Sequence, residues 1–182
     1  KLSYAVNHAE AHRSFMEASR LDPNAAMTYW GQAFTLGPNI NDPLPIEERK
    51  IKINEALAKA KQLSSKSSLK EQALIAALSA RYSTDLTADI VKLNMNYMHA
   101  MAKTIEKFPD DANVQILYAA SIMNTVPWNY WDSNGNPSPN IKEAKAALEK
   151  AMLLEPENPG GHHYYIHMVE HVSDTHLTLP KI

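Results

Sequence analysis

Apolar residues recur every three or four positions along most of the chain, the spacing of amphipathic helices, and no stretch alternates long enough to predict a strand. The spacing predicts a helix over 2–21, ended by Asp22-Pro23, and a second over 24–36. Gly37 follows that helix and Pro38 forbids its continuation. Pro45 opens a third helix over 45–63, with Glu47 and Glu48 in the first turn, where acidic side chains suit the helix dipole. A polar connector, Ser64-Ser65-Lys66-Ser67-Ser68, precedes a fourth helix expected over 68–82. Thr87 reads as the N-cap of a long helix reaching Phe108, which Pro109 breaks. Further helices are predicted over 111–125, 141–154 and 160–172. The segments 38–45 and 126–140 read as loops, and 173–182 is polar and unpatterned.

The predicted helices carry a repeating phrase. Ala11, Phe15, Ala18 and Pro23 place small, large and small residues at offsets 0, 4 and 7 and a proline at 12. Ala144, Leu148, Ala151 and Pro156 repeat all four positions. Ala56, Ala60 and Leu63 repeat three without the proline, and Tyr97, Met101, Thr104 and Pro109 keep the spacing with other residue sizes. Small residues let two helices approach closely, and the proline turns the chain into the next hairpin.

On this phrase the chain resembles the tetratricopeptide-repeat (TPR) superfamily. The segments Asn7-His8-Ala9-Glu10-Ala11, Ala25-Ala26-Met27-Thr28-Tyr29-Trp30-Gly31, Gly37-Pro38-Asn39-Ile40-Asn41 and His162-His163-Tyr164-Tyr165-Ile166-His167-Met168-Val169-Glu170 are similar to a bacterial group within it that has no established activity. The resemblance implies an all-α fold: a right-handed α-solenoid of antiparallel helix hairpins, with about four irregular repeats and about eight helices. Its first-type helices, at 24–36, 68–82, 111–125 and 160–172, would line a concave face. Successive repeats start 45, 41 and 47 residues apart, against about 34 in a standard TPR, and the two long loops hold part of the surplus. A domain over 1–172 is expected, with 173–182 outside it. Both ends read as cut from a longer protein.

Composition narrows the function classes. The formal net charge of -2 lacks the basic excess of a dedicated nucleic-acid binder. With no cysteine, disulfides, zinc fingers, iron–sulfur clusters and a cysteine nucleophile are excluded. The longest apolar run, 116–123, is far shorter than the ~20 residues of a membrane span. No phosphate loop, dinucleotide fingerprint, nucleophile elbow or kinase motif occurs. Nothing here fixes a compartment.

Two functional readings follow. The first is a protein- or peptide-binding scaffold without catalysis or cofactor. Tyr29, Trp30, Asn39 and Asn41 fall on a first-type helix and the loop after it, where aromatic and amide side chains suit a clamped peptide. Trp128 and Trp131, beside Tyr130 in the 126–140 loop, are either binding anchors or pins holding that loop to its scaffold. The second reading is a divalent-metal-binding protein or metal-dependent enzyme. His163, His167, Glu170 and His171 share an arc of about 100° on one helix, and i,i+4 imidazoles reach a common point. The metalloprotease order His-Glu-x-x-His is absent. His8 and His12 form a second such pair, which an open solenoid would hold apart from the first. Met95, Met98 and Met101 read as core filler. Asp132-Ser133-Asn134-Gly135-Asn136 is similar to the start of a calcium loop but lacks a usable closing glutamate.

Overall fold

The computed structural model describes Tyr4 and residues 7–39, 41–42 and 46–170. Among them the fold is all-α, with eight α-helices, a short 3-10 turn at Ser64–Lys66 and no strand. The helices are α1 (His8–Leu21), α2 (Ala26–Leu36), α3 (Glu47–Leu63), α4 (Leu69–Ser79), α5 (Ile90–Lys107), α6 (Ala112–Met123), α7 (Ile141–Leu154) and α8 (Pro159–Glu170).

Local chemistry sets most boundaries, and it corrects three expected starts or ends. The first helix begins at His8 and not at Leu2, because the Asn7 side chain caps it by accepting from the Glu10 backbone N–H. Tyr4 therefore lies outside that helix. Thr87 is not the cap of α5. Asp89 is, accepting from the Val91 N–H at 2.9 Å, while the Thr87 hydroxyl donates to Asp85. The helix expected to reach residue 82 ends at Ser79, and Ala80 and Arg81 form a turn. Its start carries a full capping box: the Ser68 hydroxyl accepts from the Glu71 N–H, and the Glu71 carboxylate accepts from the Ser68 N–H at 2.8 Å. Pro159 opens α8 at the first helical position, where its missing N–H costs nothing.

Each helix packs on the next in the chain, and α2 also touches α4, as α6 touches α8. The short connections 22–25, 64–68, 108–111 and 155–158 favour antiparallel packing of the helices they join. The repeated phrase faces inward: Ala11, Ala56, Ala60, Tyr97, Met101, Thr104, Ala144, Leu148 and Ala151 are all buried. Smallness has a geometric use at Gly31, in the neighbouring helix. The Phe15 ring of α1 lies in the space a side chain at Gly31 of α2 would fill.

Two apolar clusters share the middle of the molecule. One joins α2, α3 and α4 to Tyr97 and Met101 of α5 and to Val114 and Leu117 of α6. The other joins Met98 of α5 and Ile116, Ala120 and Met123 of α6 to α7, α8 and Tyr130. Helices α5 and α6 thus send one face to each cluster, and α6, buried at nearly every position, is the hinge of the core. Met98 and Met101 are core residues, as expected.

Candidate functional site

A groove of about 380 Å³ opens where α2, α4 and α6 meet. Its walls are Met27, Trp30 and Phe34 from α2, Lys70, Glu71 and Leu74 from α4, and Asn113 and Leu117 from α6, with Phe15 and Tyr4. Trp30 is fixed from both sides: it stacks on Phe34 with ring centroids 5.0 Å apart, and its Nε1–H donates to the Leu74 carbonyl at 3.1 Å. The polar rim is an ion pair, Lys70 Nζ to Asp111 Oδ2 at 2.6 Å, and an amide cluster. Asn113 Oδ1 accepts from the Tyr4 hydroxyl at 3.2 Å and from Asn158 Nδ2 at 3.4 Å.

Tyr4 lines one end of this groove, between α6 and α8. Its ring lies against Gly160 of α8, where a methyl group would come within 2.8 Å of it. Burial pushes its phenol pKa far above the ordinary value. Tyr4 and the last helix therefore meet. The histidines follow: burial lowers the His163 pKa first, and the nearby charges of His167 and His8 lower it further. His12, the other member of the first pair, stays with α2, its Nδ1 3.3 Å from Thr35 Oγ1. Helices α6 and α8 lie close enough for one tyrosine, placed just before α1, to reach both.

The metal reading gains no ligand set. His163 and His167 have ring centroids 4.6 Å apart, and His167 Nδ1 lies 3.7 Å from Glu170 Oε2, too long for a hydrogen bond. His171 lies outside the described residues. Among the described residues no three His, Asp or Glu side chains converge as a metal requires. The Asp132 carboxylate is turned onto its own loop, accepting from the N–H groups of Asn134 and Asn136 at 2.8 Å each.

The residues singled out from sequence do not form one site. Trp30 lines the groove. Tyr29 lies apart from it, between α1, α2 and α3, with its hydroxyl donating to the Pro23 carbonyl at 3.2 Å. Asn39 Oδ1 accepts from the N–H groups of Asn41 and Asp42, so it shapes its turn, and Asn41 stands exposed on that turn. In the 126–140 loop, Trp131 Nε1–H donates to the Met168 carbonyl of α8 at 2.8 Å, and Tyr130 is fully buried. Trp128 meets the His167 ring edge-on at 5.5 Å. These aromatics fasten the loop to α8. The sequence reading missed Tyr4, Asn113 and Lys70. Only Tyr4, an aromatic outside any repeat position, carried a signal of its own.

Comparison with family models, with curated proteins and with solved structures finds no match for this chain. Among the described residues no helix is long and apolar enough to cross a membrane.

Proposed function

We propose that the chain is a TPR-like scaffold whose first-type helices, α2, α4, α6 and α8, hold an extended peptide segment of a partner protein. The observation that carries this reading is Tyr4. An aromatic side chain from outside the eight α-helices lines the groove, with its ring on a glycine and its hydroxyl on an amide. A partner residue of the same chemistry would use the same contacts. The Trp30–Phe34 stack and Leu74 offer apolar area, while Asn113 and the Lys70–Asp111 pair supply orientation at the rim. This reading assigns no catalytic step and no cofactor.

The test is selection from a random displayed-peptide library on the Tyr4→Ala chain and on the unaltered chain. The expected result is enrichment of peptides bearing a tyrosine or phenylalanine on Tyr4→Ala, with weaker recovery on the unaltered chain and loss of binding in Tyr4→Ala combined with Leu74→Glu. Failure to enrich any sequence on Tyr4→Ala, or binding indifferent to Leu74→Glu, would overturn it.

A further inference from the structure

The tip of the 126–140 loop, Asp132-Ser133-Asn134-Gly135-Asn136, is exposed at every position. Short bonds close its backbone. The Asp132 N–H donates to the Asn136 carbonyl at 2.9 Å, and the Gly135 N–H donates to the Asp132 carbonyl at 3.0 Å. Asp132 Oδ1 accepts from the N–H groups of Asn134 and Asn136, and the Asn136 side chain donates to Asp132 Oδ2 at 2.9 Å. The Asn134 side-chain amide has no such tie among the described residues. Gly135 next to it has φ +78°, and no heavy atom lies within 4 Å of the Cβ it lacks.

Asn134 is the one asparagine of the chain that precedes glycine. The backbone nitrogen of the next residue can attack an asparagine side chain, and a side chain on that next residue hinders the approach. Glycine has none, and it has the backbone freedom that ring closure needs. Asn136 and Asn158 precede proline, which has no N–H to give up. Asn54, Asn94 and Asn96 lie inside helices, where the following N–H is bonded to the preceding turn. The Gly135 N–H is bonded too, but in a turn with no buried side chain, which opens at little cost.

We infer that Asn134 is a site of spontaneous deamidation, and that its product loosens the hold of the loop on α8. The Gly135 nitrogen gives up its proton and attacks Asn134 Cγ. The new N–Cγ bond closes a cyclic imide as the Cγ–Nδ2 bond breaks, and ammonia leaves with that proton. Water then opens the imide at either carbonyl, to leave aspartate or isoaspartate at 134. Isoaspartate routes the main chain through the side-chain carbon and lengthens it between 134 and 135. The bonds pairing Asp132 with Asn136, and the Ser138 N–H with the Tyr130 carbonyl at 2.8 Å, depend on the unmodified spacing. Trp131 lies between them, bridged to Pro137, and its indole holds the Met168 carbonyl. The site shares no residue with the Tyr4 groove and stands independently of the peptide-binding proposal.

Peptide mass mapping of the intact chain, held folded at mildly alkaline pH and sampled at intervals, tests this. The expected result is the mass gain of an amide-to-acid exchange at Asn134 ahead of every other asparagine, with aspartate and isoaspartate forms separated by chromatography. A chain held in urea serves as the unfolded comparison. Amide hydrogen exchange over residues 130–138 should rise in the converted chain and stay level in Asn134→Gln after the same incubation. No conversion in the folded chain, whether or not the urea-held chain converts, or earlier conversion of another asparagine, would overturn the site. Exchange unchanged after conversion would overturn the loosening.

Discussion

The indole N–H of Trp30 donates to the backbone carbonyl of Leu74 at 3.1 Å, tying α2 to α4 across 44 residues of sequence. This is a buried bond between alternate helices, and it fixes the wall of the groove where the proposed peptide lies. Trp30→Phe keeps the stack on Phe34 but removes the donor. The expected cost is about 1 kcal/mol of stability, read as a lower urea midpoint with unchanged slope. An unchanged midpoint would mean that the bond contributes nothing net.

Gly31 admits the Phe15 ring where any side chain would sit. Gly31→Ala should therefore push α1 off α2 and destabilise the chain by about 1–3 kcal/mol, despite alanine's better helix propensity. A gain in melting temperature for Gly31→Ala would show that the ring moves aside freely.

Asp111 does two jobs at the start of α6. Its Oδ1 accepts from the Val114 N–H at 3.0 Å, and its Oδ2 pairs with Lys70. Asp111→Ala loses both and should cost about 1–2 kcal/mol. Asp111→Asn keeps a capping oxygen and loses only a half-exposed ion pair, so it should cost well under 1 kcal/mol. Equal losses for the two variants in denaturant titrations would contradict this division.

Acid should loosen the molecule in two stages. Burial lowers the pKa of His8, His12 and His163 below the usual 6.5, partly offset at His8 by Asp42 and at His12 by a hydrogen bond with Gln32. A histidine with a depressed folded pKa binds its proton more readily when unfolded. Stability is therefore full above about pH 7 and falls as pH drops through the ordinary histidine range. Asp111 is raised by burial but brought below its usual value by Lys70 and by the N–H groups of Val114 and Asn113. That stability is lost only below about pH 4. Melting temperatures should decline between about pH 7 and pH 5, and less steeply in His163→Gln. A flat profile there would contradict the histidine assignment.

The Trp131 bond to the Met168 carbonyl holds the 126–140 loop on α8. Trp131→Phe should raise amide hydrogen exchange in that loop with little change in α2 or α3. Exchange unchanged in the loop would show that Tyr130 and Trp128 suffice to retain it.

Much of this molecule was legible from local rules. The breaks at Pro23, Gly37, Pro109 and Pro156 stand where the chain cannot continue a helix, and the inward positions Ala144, Leu148 and Ala151 follow from spacing alone. The true cap of α5 was harder to read because Thr87 and Asp89 are both good caps, and the Asp85–Thr87 turn decided between them. The sites were less legible still. Trp30 stood out as a large aromatic on an inner helix, but Asn113 and Lys70 are ordinary surface types that acquire a role only beside Tyr4 and Asp111.

The sequence by itself determined that the chain is helical and where most helices start and stop, because periodicity, caps and prolines act within a few residues of one another. Tertiary structure alone decided that Tyr4 reaches the groove between α6 and α8, that the charge of His8 acts on His163, that the aromatic loop fastens to α8, and that Arg81 is buried without a counter-charge. Each of these joins residues far apart in the chain, and such encounters depend on how the helices stack, which no local pattern encodes.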